Sequence, residues 1–364
     1  LLGSCGALLG ALAGCVVFVL MFIWWNFAAI AAAAVFLAAN IPFLAEYFFA
    51  RGLTRALGFL LGKISSVFPF SLYELTAFAL ILGGAALLVG IVLLLRRKNF
   101  GRLRLWLYRL GMAVLSVLLA FGVLYAPLYN RLPVQSALGL EETSLTEEKV
   151  YQAALYYVEQ LNALSAQTER DKEGNILPAL SFRETAESLN AAFSAQDPSY
   201  FAFYEVTPKP VAFSVFLSYL GITGIYFPFY AEANVSTDVP AYTLPFTMAH
   251  EMAHAKGVSQ EGEANVAAYV LCVCSENDYI RYSGLMSAAA SLINSLPQER
   301  AEELSSLLAE EVKREYRNAS EHYRKYEGLL DTISSFFNDL FLKANGVQGG
   351  TRSYSDTVRS LVSL

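Results

Sequence analysis

Three apolar runs before Pro127 constrain this chain more than any other feature. Leu1 to Ala39 carries no charged side chain, Leu75 to Leu95 carries none, and Leu105 to Ala126 carries only Arg109. A helix that crosses about 30 Å of hydrocarbon needs roughly 20 apolar residues. The second and third runs match that length, so spans are expected at about 75–95 and 105–126. The first run exceeds one span. It reads as one helix over about 16–38, or as two, with an extra span within 1–25 hinged near Trp24-Trp25-Asn26. One is preferred because no polar loop separates the halves. No positive segment precedes the run, which argues against a cleaved signal peptide.

Charge divides the chain into two parts. Up to Asn130 there are nine Lys/Arg and two Asp/Glu, so the remaining 234 residues hold 17 of the 26 bases and 30 of the 32 acids. A basic apolar front and an acidic back describe a membrane region, 1–130, joined to a water-facing domain, 131–364. Nothing in the acidic part is basic enough for nucleic acid. Between the last two spans, Arg96, Arg97, Lys98, Arg102 and Arg104 fall within nine residues. Such a loop stays on the cytoplasmic side, which puts the C-terminal domain outside the cytoplasm in a multi-pass cell-membrane protein. The segment 42–73 then lies on the outer face. Its aromatics, among them Phe43, Tyr47, Phe48, Phe59, Phe68 and Phe70, suit a helix in the bilayer interface, or equally one packed on the outer domain.

The outer part reads as mainly helical with a small sheet. Thr146 to Ser165 has helical apolar spacing behind an acidic first turn. Ser181-Phe182-Arg183-Glu184 looks like another helix start. Val211 to Val235, rich in Val, Phe, Tyr and Ile and broken by Gly221, Gly224 and Pro228, reads as strands with turns. Gln298 to Lys343 reads as a charged helix or helix pair. A loop at Gly349-Gly350 and a short apolar helix close the chain.

Two of the three histidines sit in His250-Glu251-Met252-Ala253-His254, an HExxH motif. On a helix, residues i and i+4 share a face, so both imidazoles can bind one Zn²⁺. Glu251 is one step round the helix, placed for a metal-bound water rather than the metal, and suited to act as general base. Gly257 is a natural helix stop. Ser259 offers an N-cap for a second helix, which would bring Glu261 or Glu263 back towards the histidines.

The motif followed by Glu261-Gly262-Glu263-Ala264-Asn265 resembles the gluzincin class of zinc metallopeptidases. There the second helix supplies a glutamate as third ligand. More closely, Phe68-Pro69-Phe70-Ser71, Pro208 to Ser214, Gly224 to Phe229, Glu232-Ala233-Asn234, Leu244 to Thr247, the HExxH, Glu263-Ala264-Asn265 and Arg281 to Gly284 resemble an uncharacterised bacterial membrane-protein family. Its members carry N-terminal spans and an outer HExxH domain. The resemblance covers most of the chain after about Pro42. It implies a zincin-like, membrane-bound peptidase acting on a peptide or protein substrate. Two departures matter. The third-ligand position of the metzincin pattern holds Gln260, a neutral amide, so that class is rejected. In thermolysin-like enzymes the third glutamate lies much further along the chain.

Glu261 and Glu263 are about 200° apart on a helix, so only one can face the metal. Glu261 is preferred, because Asn265 then shares its face and can hydrogen-bond a ligating histidine; Glu263 is the alternative. Tyr282, Arg281 and Tyr354 are candidates for stabilising a developing oxyanion. Ile225 to Val235 is the candidate edge on which a substrate strand would lie. His322, among charged neighbours, reads as a solvated surface residue, and Cys5, Cys15, Cys272 and Cys274 as small buried hydrophobes. Cleavage of peptide bonds outside the cytoplasm is the expected function. A membrane sensor or binding protein without turnover is the alternative. Cleavage inside the bilayer is disfavoured, since about 120 residues separate the HExxH from the last span.

Overall fold

The computed structural model describes residues 19, 22–24, 26–140, 144–344 and 354–364. Trp25, Cys5, Cys15 and the Gly349-Gly350 loop lie outside them, as does the side chain of Tyr354.

Three described helices are long and apolar enough to cross a membrane: α1 (Phe22–Ala39), α3 (Leu72–Arg96) and α4 (Phe100–Leu124). Neither α3 nor α4 buries a single residue within the protein. A continuous apolar surface of that kind belongs in lipid rather than water. The described residues on either side of Trp25 are helical, and Asn26 Nδ2 donates to Phe22 O at 2.7 Å; the extra span within 1–25 and its hinge at Trp24-Trp25-Asn26 fall largely outside the described residues. The α3–α4 turn is tighter than the expected nine-residue loop. Asn99 Oδ1 accepts from Arg102 N at 3.1 Å and starts α4, so Arg102 and Arg104 ride on the helix.

Between α1 and α3, a π-helical stretch (Leu44–Leu53) continues into α2 (Thr54–Ser65). One face of this segment is exposed and the other packs on the residues that follow α4. Phe43, Tyr47, Phe48, Leu60 and Ile64 are exposed on one side. On the other, buried Glu46 accepts from Arg131 Nε and Nη2 at 3.2 and 3.1 Å, from Leu132 N at 3.1 Å and from Arg51 Nε at 2.7 Å. Arg55 donates to the carbonyls of Pro198, Ser199 and Tyr200. Residues 44–65 thus pack on the C-terminal part of the chain across the expected boundary at Asn130.

After a 3₁₀ turn (Ala126–Asn130), the C-terminal domain runs through α5 (Val134–Ala137), α6 (Glu147–Ser165) and α7 (Phe182–Ser194). Then come β1 (Lys209–Val211), α8 (Ser214–Tyr219), β2 (Gly224–Phe227) and β3 (Glu232–Ser236). It ends with α9 (Thr243–Ala255), α10 (Glu261–Val273), α11 (Asp278–Asn294), α12 (Gln298–Leu307), α13 (Glu310–Arg324), α14 (Leu329–Ala344) and α15 (Tyr354–Ser363). Local signals set several of these starts. Thr146 Oγ1 accepts from Lys149 N at the head of α6, and Ser181 with Glu184 forms a reciprocal cap on α7. The sheet has order β1-β3-β2, with β1 parallel and β2 antiparallel to β3.

Three expectations need correcting. The 211–235 stretch is not all strand, for α8 interrupts it. The N–H groups of Ala212 and Phe213, which would have extended β1, donate instead to the Glu74 carboxylate at 3.0 and 2.8 Å. The 298–343 stretch is three helices, broken where Leu308 and Ala309 turn extended. Cys274 is exposed at the end of α10, although Cys272 is buried.

Two apolar clusters hold the domain together. One packs Ala233 and Val235 of β3 against Met248, Met252 and Ala253 of α9, with Val266 and Ala267 of α10. The other joins α6, α11, α13 and α15 through residues such as Leu161, Met286 and Val312. Helix α9 therefore lies between the sheet and α10, and burial fixes its rotation and with it the direction of the HExxH side chains.

Candidate metal centre

Helix α9 carries His250 and His254 on one face, with their Nε2 atoms 3.1 Å apart. It ends because Gly257 takes φ +103°, a left-handed conformation that side chains resist. Gly257 N donates to His254 O and Val258 N to Ala253 O, closing the turn. Arg131 Nη1 holds the turn from outside, donating to Gly257 O at 2.7 Å. Gln260, not Ser259, is the residue before α10. Its side chain makes no cap but donates to Tyr129 O at 3.0 Å.

The turn delivers Glu261 to the histidines. Its Oε2 lies 3.1 Å from His250 Nε2 and its Oε1 3.6 Å from His254 Nε2. His250, His254 and Glu261 form a group whose donor atoms all lie within 4.8 Å of one another and could hold a metal ion. Glu263 is not part of that group. Asn265 Oδ1 lies 2.9 Å from His250 Nδ1, one turn beyond Glu261. On the other imidazole, His254 Nδ1 lies 2.7 Å from Val258 O. An amide oxygen and a backbone carbonyl accept but do not donate. Each ring therefore carries a proton on Nδ1 and turns its Nε2 towards the other and towards Glu261.

Two Nε2 atoms and a carboxylate converging on one point favour a positive charge between them, a proton or a metal ion. The titration of the group reflects this. Burial alone would push His254 down, but facing Glu261 lifts it to about 9. Burial would raise Glu261, yet the two imidazoles hold its carboxyl far below the ordinary carboxylate range.

Glu251 points from the same helix towards β2. Burial pushes its carboxyl up, against the pull of the two histidines. Its Oε2 has no hydrogen-bond partner among the described residues. A buried carboxylate oxygen without a partner is costly, and here it borders a cleft of about 510 Å³ that also holds His250, His254, Glu261 and Asn265. Strand β2 can lie this close only because residue 224 is glycine.

Tyr125, Tyr129 and Tyr226 line the same cleft, as does Phe121 from the last turn of α4. Tyr125 OH is 3.3 Å from His254 Nδ1 and donates to Ser259 O at 3.4 Å. Tyr125 and Tyr129 escaped the sequence reading, whereas Tyr226 lies in the strand it offered as a substrate edge. Tyr125 fell at the end of an apolar run, where an aromatic residue is expected simply for its place at the bilayer surface.

Tyr282 stands elsewhere. It is fully buried, its hydroxyl donates to Glu315 Oε2 at 2.7 Å and accepts from Arg170 Nη2 at 2.9 Å. It holds α11 to α13 and does not line the cleft. Arg281 pairs with Asp278 at 2.6 Å on the surface. His322 is not freely solvated, since its Nε2 lies 3.0 Å from Asp238 O and its ring meets Tyr323 and Tyr326. Of the candidate edge Ile225 to Val235, only the part in β2 lies at an edge, because β3 is the central strand.

A family model described as "Protein of unknown function (DUF3810)" matches residues 49–362. No curated protein and no solved structure matches the chain.

Proposed function

We propose that this chain, which belongs to the DUF3810 family, is a membrane-anchored, zinc-dependent peptidase with a zincin-like centre that acts outside the cytoplasm. One observation carries the reading. The two imidazole Nε2 atoms stand 3.1 Å apart, and the Glu261 carboxylate sets one oxygen against each, Oε2 at 3.1 Å from His250 and Oε1 at 3.6 Å from His254; these separations are close to the edge of about 3.3 Å of a tetrahedral Zn²⁺ site with bonds of about 2.0–2.1 Å. An unpartnered carboxylate oxygen of Glu251 stands beside them.

His250, His254 and Glu261 would hold the ion. When bound, Zn²⁺ lowers the pKa of a water and polarises a carbonyl. The chain's own residues do the rest. Asn265 and Val258 O hold the imidazoles in the tautomer that offers Nε2. Glu251, raised by burial, takes the proton of the attacking water and passes it to the leaving amine. The edge of β2 away from β3, which no strand covers among the described residues, offers backbone groups to an extended peptide. The basic turn between α3 and α4 lies at the opposite end of these helices from the cleft, which supports a cytoplasmic turn and an external catalytic domain.

The test is metal analysis of the purified full chain, followed by digestion of an unbiased peptide library with and without chelator. Stoichiometric zinc and chelator-sensitive cleavage are expected. Zinc-free protein, or cleavage indifferent to chelation, would reject the reading.

A further inference from the structure

The HExxH is far from the last span in sequence but not in space. His254 contacts Tyr125, the residue directly after α4. Phe121, one turn inside α4, forms part of the cleft wall. The other wall is rooted in α3. Glu232, at the start of β3, accepts from Leu72 N and Tyr73 N in the first turn of α3, at 3.3 and 3.2 Å. Phe227, the last residue of β2, packs its ring 5.4 Å from that of Tyr73. Tyr230 OH is 2.8 Å from Thr76 Oγ1, on the second turn of α3. The β2–β3 turn therefore reaches past the outer end of a membrane span.

The cleft rim has the surface such a position demands. Helix α8 is tied to the first turn of α3 through Glu74 and exposes Phe213, Val215, Phe216 and Tyr219. Leu220, Gly221 and Ile222, just after it, line the cleft. Helix α14 contributes Ser334 and Ser335 to the cleft while Leu329, Ile333 and Phe336 face outward. The exposed apolar side chains at α8, tied to the first turn of α3, are those a bilayer surface would cover.

Resting on the peptidase reading, we propose that the substrates are peptides anchored in the same membrane and cut close to the bilayer surface. The geometry of β2 sets the distance. Glu251 lies under Gly224, and Tyr226 flanks His254 with ring centroids 6.3 Å apart. Phe227, the next residue, already meets α3. A strand laid along the free edge of β2 and cut opposite Gly224–Tyr226 reaches the bilayer boundary within about five residues, at about 3.3 Å per residue. The recognised chemistry is an extended backbone with a hydrophobic anchor next to the scissile bond. A transmembrane helix and an acyl chain both supply that anchor.

The experiment uses the zinc-loaded full chain in lipid nanodiscs and one randomised peptide segment in four settings. It is joined directly to a transmembrane helix, joined directly to a palmitoyl chain, joined to the helix through a Gly/Ser spacer of about 20 residues, or left free. Each anchor is placed at the N-terminus and at the C-terminus. The spacer form keeps the surface concentration but removes the segment from the bilayer. At least one directly anchored form is expected to be cut about tenfold or more faster than the spacer and free forms, within about five residues of the anchor. The arm that is cut identifies the anchor. Equal rates for direct, spacer and free forms would overturn the proposal and leave the peptidase standing. Cleavage that survives Glu251→Gln, or no cleavage in any setting, would overturn both.

Discussion

A β-carbon at Gly224 would stand 2.5 Å from Glu251 Oε1 and 2.6 Å from its Cγ. Strand β2 and helix α9 meet there only because residue 224 has no side chain. Its backbone is not left-handed, so alanine would meet a steric obstacle and no conformational one. Gly224→Ala is therefore expected to displace the Glu251 carboxylate while leaving the three candidate ligands in place. Misplacement by about 1 Å can cost about 10²-fold in rate. Peptide hydrolysis should fall by roughly that factor, with zinc affinity within about twofold of wild type. A large loss of zinc would show that the strand supports the ligands instead.

Glu251→Gln separates proton transfer from metal binding. The amide keeps the volume but cannot accept the proton of the attacking water. The variant should retain full zinc by metal analysis and lose about 10²–10⁴-fold in rate. His250→Ala should lose both. Cleavage by Glu251→Gln at the wild-type rate would remove the general base from the mechanism.

The third ligand is tested by zinc competition in Glu261→Ala and Glu263→Ala. Only Glu261 faces the imidazole Nε2 atoms, so its loss should weaken binding far more. Asn265→Ala removes the partner of His250 Nδ1 and should cost about 10–100-fold in affinity. The reverse order, with Glu263→Ala the weaker binder, would reassign the ligand.

What the sequence made legible was local. The long apolar helices follow from run length, and the histidine pair from i, i+4 spacing. The end of α9 follows from Gly257, and the starts of α6 and α7 follow from Thr146 and Ser181. Each depends on neighbours within a turn or two. What it hid depends on contacts across the chain. Tyr125 meets His254 over 129 residues, and Arg131 meets Glu46 over 85. Tyr282 looked available for chemistry because Arg170 and Glu315, which occupy its hydroxyl, are 112 and 33 residues away. The 120-residue gap between the last span and the HExxH likewise concealed that α4 forms part of the cleft.

Topology is open to a direct check. A reporter fused after Leu364 should read as external and one inserted near Asn99 as cytoplasmic, because the basic residues cluster at the α3–α4 turn. A C-terminal fusion active only in the cytoplasm would place the cleft on the inner face and reject an external peptidase.

The buried pair of Glu46 and Arg131 links the π-helical stretch before α2 to the candidate metal centre, because the same guanidinium holds the α9–α10 turn at Gly257. Burial works to raise the Glu46 carboxyl, but bonds from Arg131, Arg51 and Leu132 N outweigh it and hold the group below its ordinary value. A carboxyl depressed on folding adds stability that is complete above its unfolded value of about 4.3. That stability is lost as pH falls through the folded value. Glu46→Gln leaves Arg131 buried without its counter-charge, a change that typically costs about 3–5 kcal/mol. Thermal unfolding in detergent should therefore show the variant melting well below wild type, with a constant gap between pH 7 and about pH 5. The gap should narrow below about pH 4, where wild type protonates and the variant cannot. Zinc affinity at pH 7 should fall as well, because a freed Arg131 no longer fixes Gly257. A gap that widens on acidification would mean that Glu46 is protonated in the folded protein at neutral pH.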